Sequence, residues 1–254
     1  MSLNWREIQA VLDELPLVDS HIQQVVQPDF RNIYLEIFRP RRRFTLRICL
    51  ETGRTRLHST DTRPRKPQVR QRFAQFLQSR IKGGRIVLAR QVNADRIVRV
   101  DVERGGELTI LWIRLWGGAA NIVATDRDGV VLDAFFRRPG KGEVTGGHYY
   151  VEDQEIDPES DTKRASFSAR WEAEVDESVR DHYASLERNE ARERAREQAE
   201  SALRNQIGSV RRRLRKLEGS HSQDEDSQRL RTLGDLILSN LHRIEPGERW
   251  VDVE

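Results

Sequence analysis

The side chains of this chain best equipped for chemistry are arginines, and they are unevenly spread. Between Arg39 and Arg90 stand sixteen Lys or Arg against two acids, Glu51 and Asp61, a local charge of +14 in a chain whose formal net charge is +3. The remaining residues therefore carry about −11, so a basic part is joined to an acidic or charge-mixed one. A positive field this concentrated addresses phosphate, and nucleic acid is the polyanion that suits it. Arg41, Arg42 and Arg43 fall where the pattern predicts a hairpin turn. Arg63, Arg65 and Lys66 fall in a polar segment broken by prolines, and Arg70 and Arg72 on the outer face of a predicted helix. Facing one way, these elements would make a broad phosphate-binding surface. Downstream, Asp95 and Arg96 are adjacent. An arginine can fork onto a phosphate or a base edge, and a neighbouring carboxylate can orient it or accept from a base amine. Spacing alone reads the pair as an ordinary strand-end ion pair.

Other chemistry is sparse. None of the six histidines, His21, His58, His148, His182, His221 and His242, has metal-ligand spacing with another His, Cys or carboxylate. The glycine pairs at 83–84, 105–106, 117–118 and 146–147 are turn signals rather than phosphate loops. Arg211, Arg212 and Arg213, with Arg215 and Lys216, read as the solvated face of a long helix, because Leu214 and Leu217 interrupt the run. The expectation is a non-enzymatic protein without cofactor or metal. No apolar run approaches the eighteen residues of a membrane span. The first residues lack a signal peptide's basic and apolar regions, and the single cysteine, Cys49, reads as a buried thiol; together these point to the cytoplasm.

Two kinds of pattern would position these residues. The first half of the chain alternates as half-buried strands do over residues 20–27, 32–39, 44–50, 85–92, 96–102, 107–115, 121–125 and 130–136. Two amphipathic helices accompany them. One covers 4–15, with Asn4 and Glu7 spaced as a capping box, and one covers 68–81, with Val69, Phe73, Phe76, Leu77 and Ile81 inward. The fold class is α+β: a sheet-rich domain over residues 1–150, a linker over 151–171, and then a helical part. In that part Leu203, Ile207, Val210, Leu214 and Leu217 step by heptads, and Leu230, Leu233, Ile237, Leu241 and Ile244 form a returning stripe. With a turn over 219–226, this predicts an antiparallel coiled-coil hairpin over 172–245, and 246–254 begins a further segment. The first arm is the longer, so its edge at Val175, Val179 and Leu186 is left open to a partner helix or a dimer. The open edge and the short final segment suggest a piece of something longer.

The segment Gly83-Gly84-Arg85-Ile86, followed by Gln91-Val92-Asn93-Ala94-Asp95-Arg96-Ile97, resembles the N-terminal domain of the NFACT proteins. These are ribosome quality-control factors also known in bacteria as fibronectin-binding proteins. Gln27-Pro28, the basic segment, the helix around Phe73 and the run from Leu115 to Val123 fall in family order. In that run Gly118 and Asn121 match the family turn GRxSNI, with alanines where its Arg and Ser would stand. Leu233-Gly234-Asp235-Leu236 through Asn240-Leu241, then Ile244-Glu245-Pro246-Gly247, is similar to the family's coiled-coil segment.

The resemblance implies an RNA- and ribosome-binding protein that binds tRNA and the obstructed large ribosomal subunit, with Asp95-Arg96 as the pair that handles tRNA. It also implies a first domain like the N-terminal domain of formamidopyrimidine-type DNA glycosylases. Their N-terminal Pro-Glu is replaced here by Ser2-Leu3, so their amine chemistry is not expected. The family's helix-hairpin-helix and C-terminal RNA-binding domains find no counterpart in the sequence. The alternative the resemblance leaves open is a fibronectin-binding adhesin or protein-interaction module.

Overall fold

The computed structural model describes residues 2–65, 67–152 and 174–243, and of residues 220–222 the backbone alone. The chain divides into two units, Met1–Ser185 and Leu186–Glu254. The linker expected over 151–171 lies outside the described residues from 153 on, as does the segment 246–254.

The first unit is built on nine antiparallel strands: β1 (His21–Val26), β2 (Asn32–Arg39), β3 (Arg42–Cys49), β4 (Arg56–Thr60), β5 (Arg85–Val92), β6 (Ile97–Arg104), β7 (Glu107–Arg114), β8 (Asn121–Thr125) and β9 (Val131–Ala134). Their order is β4-β3-β2-β1-β5-β6-β7-β8-β9. The two halves meet on one register pair, His21 with Arg85, flanked by backbone bonds at Ser20, Ile22 and Gly84. Past Ile22, β1 has no strand on that side among the described residues. A join this narrow lets the halves close on each other. Thr55 Oγ1, just before β4, donates to the carbonyl of Leu115, just after β7, at 2.9 Å.

Helix α1 (Trp5–Glu14) starts with the expected capping box: Glu7 N–H donates to Asn4 Oδ1 at 3.0 Å, and Asn4 N–H to a Glu7 carboxylate oxygen at 2.8 Å. It buries Ile8, Val11 and Leu12. Helix α2 (Arg72–Ile81) buries Phe73, Leu77 and Ile81 but begins four residues later than expected. Gln71 is extended, so Val69, expected inward, is exposed. Beyond α2, Gly83 takes a left-handed φ of +80°, and a Cβ on Gly84 would lie 2.7 Å from Val102 Cγ1. The turn therefore needs both glycines. Cys49 is fully buried, and burial pushes its thiol above the ordinary range.

Strand β4 was not legible as a strand. All five of its residues are buried, including Arg56 and His58, because helix α3 (Val175–Ser239) starts against it. Arg56 lies 3.9 Å from the centre of the Tyr183 ring. Asp176 accepts from Ser59 N–H at 2.6 Å and also from its hydroxyl. Glu14 caps the helix, accepting from the N–H groups of Val175 and Asp176 at 2.8 Å each. Val175, Val179 and Tyr183 are buried in the same unit. At Val175 and Val179 the edge expected to await a partner helix or a dimer is thus already covered by the sheet domain.

The second part is helical as expected, but as one helix rather than a hairpin. The turn predicted over 219–226 is helical. That stretch has no proline, and its one glycine costs roughly 1 kcal/mol, too little to end a helix. Within the second unit Leu203, Ile207, Val210, Leu214 and Leu217 are exposed, and so are Leu230, Leu233, Ile237 and Leu241.

Candidate nucleic-acid interface

The hairpin between β5 and β6 turns on Asn93 and Ala94, both with left-handed φ, 57° and 41°. Asparagine tolerates this readily and alanine does not, so the surroundings must hold the turn. They do so from three sides. Asn93 Nδ2 donates to the carbonyl of Glu152 at 2.7 Å. Gln91 Nε2 donates to the carbonyl of Asp95. Leu115 N–H donates to the carbonyl of Arg96 at 2.8 Å.

Asp95 and Arg96 are half-buried on this turn. They do not form the ion pair that spacing suggests. Asp95 Oδ1 accepts from the N–H of Arg96 at 2.6 Å and from the indole N–H of Trp116 at 3.0 Å. The Arg96 guanidinium has neither a hydrogen-bond nor an ion-pair partner among the described residues. A fixed carboxylate thus stands beside an unengaged cation.

Trp116 rests on a buried network. The Arg114 guanidinium lies 5.5 Å from the Trp116 ring centre and 5.7 Å from that of Tyr149. Arg114 Nη2 donates to Glu143 Oε1 at 2.5 Å and Nε to the carbonyl of Ala119 at 2.8 Å. Asn121 Nδ2 donates to the other Glu143 oxygen at 2.6 Å. Asn121 also exchanges two bonds of 2.8 Å with the backbone of Phe136. Burial alone would lower the Arg114 pKa, but the Glu143 carboxylate outweighs it and holds the guanidinium above its ordinary value. Burial raises the Tyr149 phenol against the pull of Arg114. The two residues matching the GRxSNI turn therefore have structural tasks here: Gly118 in a 3-10 turn, Gly117–Ala119, and Asn121 in the network beneath it.

Immediately beside that turn is an open cleft of about 650 Å³, with Phe30, Arg31 and Glu51 on one wall and Gly118, Arg137 and Arg138 on the other. Arg31 pairs with Glu51 at 2.8 Å, and Arg137 with Asp133 at 3.3 Å. Arg138 donates to the carbonyls of Gly118, Ala119 and Ala120, and its guanidinium lies over the Phe136 ring. Phe30 stands 70% exposed on the rim. Arginines interleaved with exposed aromatic faces suit single-stranded nucleic acid. Sequence reading missed Arg31, Arg137 and Arg138. Only the closure of the two half-sheets brings residues near 30, 51, 117 and 137 together.

The basic block does not form one surface with Asp95 and Arg96. Arg41, Arg42 and Arg43 are exposed at the β2–β3 turn, and Arg43 shares a small pocket with Arg63. Arg31 and Glu51 sit at the opposite end of the same hairpin, about 20 Å away over the strand length. That far end shares its cleft with Gly117 and Gly118. Arg65 is exposed, and Lys66 lies outside the described residues. Arg70 is exposed just before α2. Arg72 is engaged in holding α2 to β9, paired with Asp133 and donating to the carbonyl of Ala134 at 2.6 Å. Arg56 is buried, and Arg80 pairs with Glu107 at 2.9 Å. Among the described residues no group of three or more His, Cys, Asp or Glu is arranged to hold a metal ion, and no helix is long and apolar enough to cross a membrane.

Comparison with known proteins places this geometry in context. The family model for NFACT N-terminal and middle domains matches residues 6–173 and 135–254. Among curated proteins no sequence matches the chain. Solved structures do. The N-terminal part of the fibronectin/fibrinogen-binding protein of Streptococcus suis is 22% identical with a TM-score of 0.55, over 61% of this chain and 62% of that one. The N-terminal domain of the fibronectin-binding protein PavA of Streptococcus pneumoniae is 23% identical with a TM-score of 0.55, over 61% and 66%. The fibrinogen-binding protein of Staphylococcus aureus is 19% identical with a TM-score of 0.54, over 63% and 60%. The match thus spans about three fifths of the first of these proteins, and at such identity it establishes the fold alone.

Proposed function

The chain belongs to the family of NFACT N-terminal and middle domains, and from that premise we propose that it is a non-enzymatic RNA- and ribosome-binding protein of the cytoplasm. It binds tRNA and the obstructed large ribosomal subunit in the rescue of stalled ribosomes. The observation that carries this reading is the β5–β6 turn, where Trp116 fixes the Asp95 carboxylate while the Arg96 guanidinium has no partner among the described residues. An arginine so placed is available to fork onto a phosphate or a base edge, and Asp95 to accept from a base amine. The second basic group, Arg41, Arg42, Arg43, Arg63 and Arg65 with Lys66 and Arg70, supplies sequence-independent attraction for the backbone of the same RNA at a distance from the turn.

The test is affinity capture of the full chain from its own cell lysate, with sequencing of the bound RNA. Large-subunit ribosomal RNA with one or a few enriched tRNAs is the expected result. Recovery of neither RNA, together with saturable binding of the purified chain to added fibronectin or fibrinogen, would favour the activity named for the three solved proteins.

A further inference from the structure

The cleft at the Gly117–Ala119 turn carries side chains that the fold does not use. Phe30, Arg31 and Glu51 come from the β1–β4 half of the sheet, and Gly118, Arg137 and Arg138 from the β5–β9 half. Its volume of about 650 Å³ lies within the range of roughly 300–1,000 Å³ usual for sites that take a small molecule.

The arginines of the two walls have donors to spare. Arg31 is 64% exposed and spends only Nη1 of its guanidinium, on Glu51. Arg137 is 51% exposed and spends only Nε, on Asp133. The other guanidinium nitrogens of both residues have no hydrogen-bond partner among the described residues. Asp133 is also paired with Arg72, so the fold does not depend on Arg137 to neutralise it. Arg138, by contrast, is fixed by three carbonyls and lies over Phe136. Two cations with unused donors, on opposite walls of one cleft, suit successive phosphates of a strand.

Phe30 supplies a second kind of surface. It is 70% exposed, and its ring meets no other aromatic ring and no cation among the described residues. A ring left this bare beside phosphate-binding groups is a stacking platform for a base. A third feature is Gly118. Its φ is not left-handed, and a Cβ there would meet nothing within 4 Å, so the turn itself does not require a glycine at this position. What the missing side chain provides is a bare backbone surface that a flat base can approach.

We infer that this cleft seats one unpaired nucleotide of a single-stranded RNA segment, its base stacked on Phe30 in the space left by Gly118, and its flanking phosphates on Arg31 and Arg137. The seat rests on the RNA-binding reading above and adds to it the part of the RNA that is held: an unpaired stretch rather than a duplex. Stacking accepts any base, so the seat selects single strands and not a sequence.

The experiment is fluorescence anisotropy of a labelled single-stranded RNA hexamer titrated with the full chain, and in parallel of the same hexamer annealed to its complement. Saturable binding of the single strand is expected. Phe30→Ala and Gly118→Leu should each weaken it at least about fivefold and leave duplex binding unchanged. Arg137→Ala should weaken it too, and should lower the slope of log affinity against log salt by about 0.7. Phe30 is exposed and the space over Gly118 is open, so neither of the first two substitutions should lower the melting temperature. No saturable binding of the single strand, binding indifferent to both Phe30→Ala and Gly118→Leu, or equal losses for single strand and duplex would overturn the proposal. The same titrations with tRNA separate this seat from the reading on which it rests. Single-strand binding that needs Phe30 and Gly118, in a chain that does not bind tRNA, supports the seat and removes the tRNA reading. Binding of tRNA that needs Asp95 and Arg96, with tRNA and hexamer both indifferent to Phe30→Ala and Gly118→Leu, overturns the seat and leaves that reading in place.

Discussion

Replacing Glu143 with alanine tests the idea that a buried ion pair, rather than the turn itself, positions Asp95. The Glu143 side chain is 1% exposed and that of Arg114 8% exposed. Both Glu143 oxygens are in use, one with Arg114 at 2.5 Å and one with Asn121 at 2.6 Å. Glu143→Ala leaves the Arg114 cation in place without its carboxylate and without access to water. Removing one partner of a buried pair costs about 3–5 kcal/mol. For a unit of this size that is a fall in melting temperature of roughly 6–20 °C. Glu143→Gln keeps the shape and an acceptor, so its loss should be nearer 1–3 kcal/mol. Converting both groups, Arg114→Met with Glu143→Leu, removes the charge that has to be balanced and should recover most of the stability lost in Glu143→Ala. Urea denaturation followed by circular dichroism measures all three. Because Trp116 lies over Arg114 and donates to Asp95, amide exchange at residues 93–96 should also speed up in Glu143→Ala. The reasoning fails if Glu143→Ala costs less than about 1 kcal/mol, or if the double substitution is no more stable than the single one.

Two further outcomes follow from the start of α3. Tyr183→Leu keeps apolar bulk but loses the ring under Arg56, a contact of about 2 kcal/mol when desolvated, so hydrogen exchange over residues 175–185 should accelerate about thirtyfold while the sheet stays protected. Burial raises the Asp176 carboxyl above its ordinary value, against the bonds from Ser59. The folded form is thus unpenalised while this group is protonated, and it loses stability as pH rises through the window between the ordinary and the raised value, with no further loss above it. Asp176→Asn should flatten the stability–pH curve in that window, which denaturant titrations at several pH values would show.

The sheet was legible because most of its strands alternate. Residues 32–39 and 107–115 were read within one residue of β2 and β7, since one face of each is apolar. Strand β4 was hidden because its sequence, Arg-Leu-His-Ser-Thr, looks like a loop; its polar residues are buried by partners that lie more than a hundred residues away, Asp176 and Tyr183. The apolar spacing of Val175 and Val179 was plain, but a spacing does not name its partner, and the sheet domain took the place of the expected helix. In the site, the adjacency of Asp95 and Arg96 was visible, whereas their separation into a fixed carboxylate and an unengaged cation depends on Trp116, which no local pattern joins to them. The arginine block looked continuous in sequence because a hairpin places consecutive residues at opposite ends of its strands, and charge counts do not record direction.

The measurement that bears most directly on the RNA-binding account is the affinity of the full chain for tRNA, by gel shift across salt concentrations, in wild type and in Asp95→Ala with Arg96→Ala. With about six phosphates neutralised, wild-type affinity should fall on the order of 10³-fold between 50 and 200 mM salt. The double substitution should weaken binding on the order of tenfold or more at each salt concentration, and Arg96→Ala alone should weaken it with the melting temperature held, since the Arg96 guanidinium has no partner among the described residues to lose. A flat salt response, or tRNA affinity unchanged by the double substitution, would contradict the account.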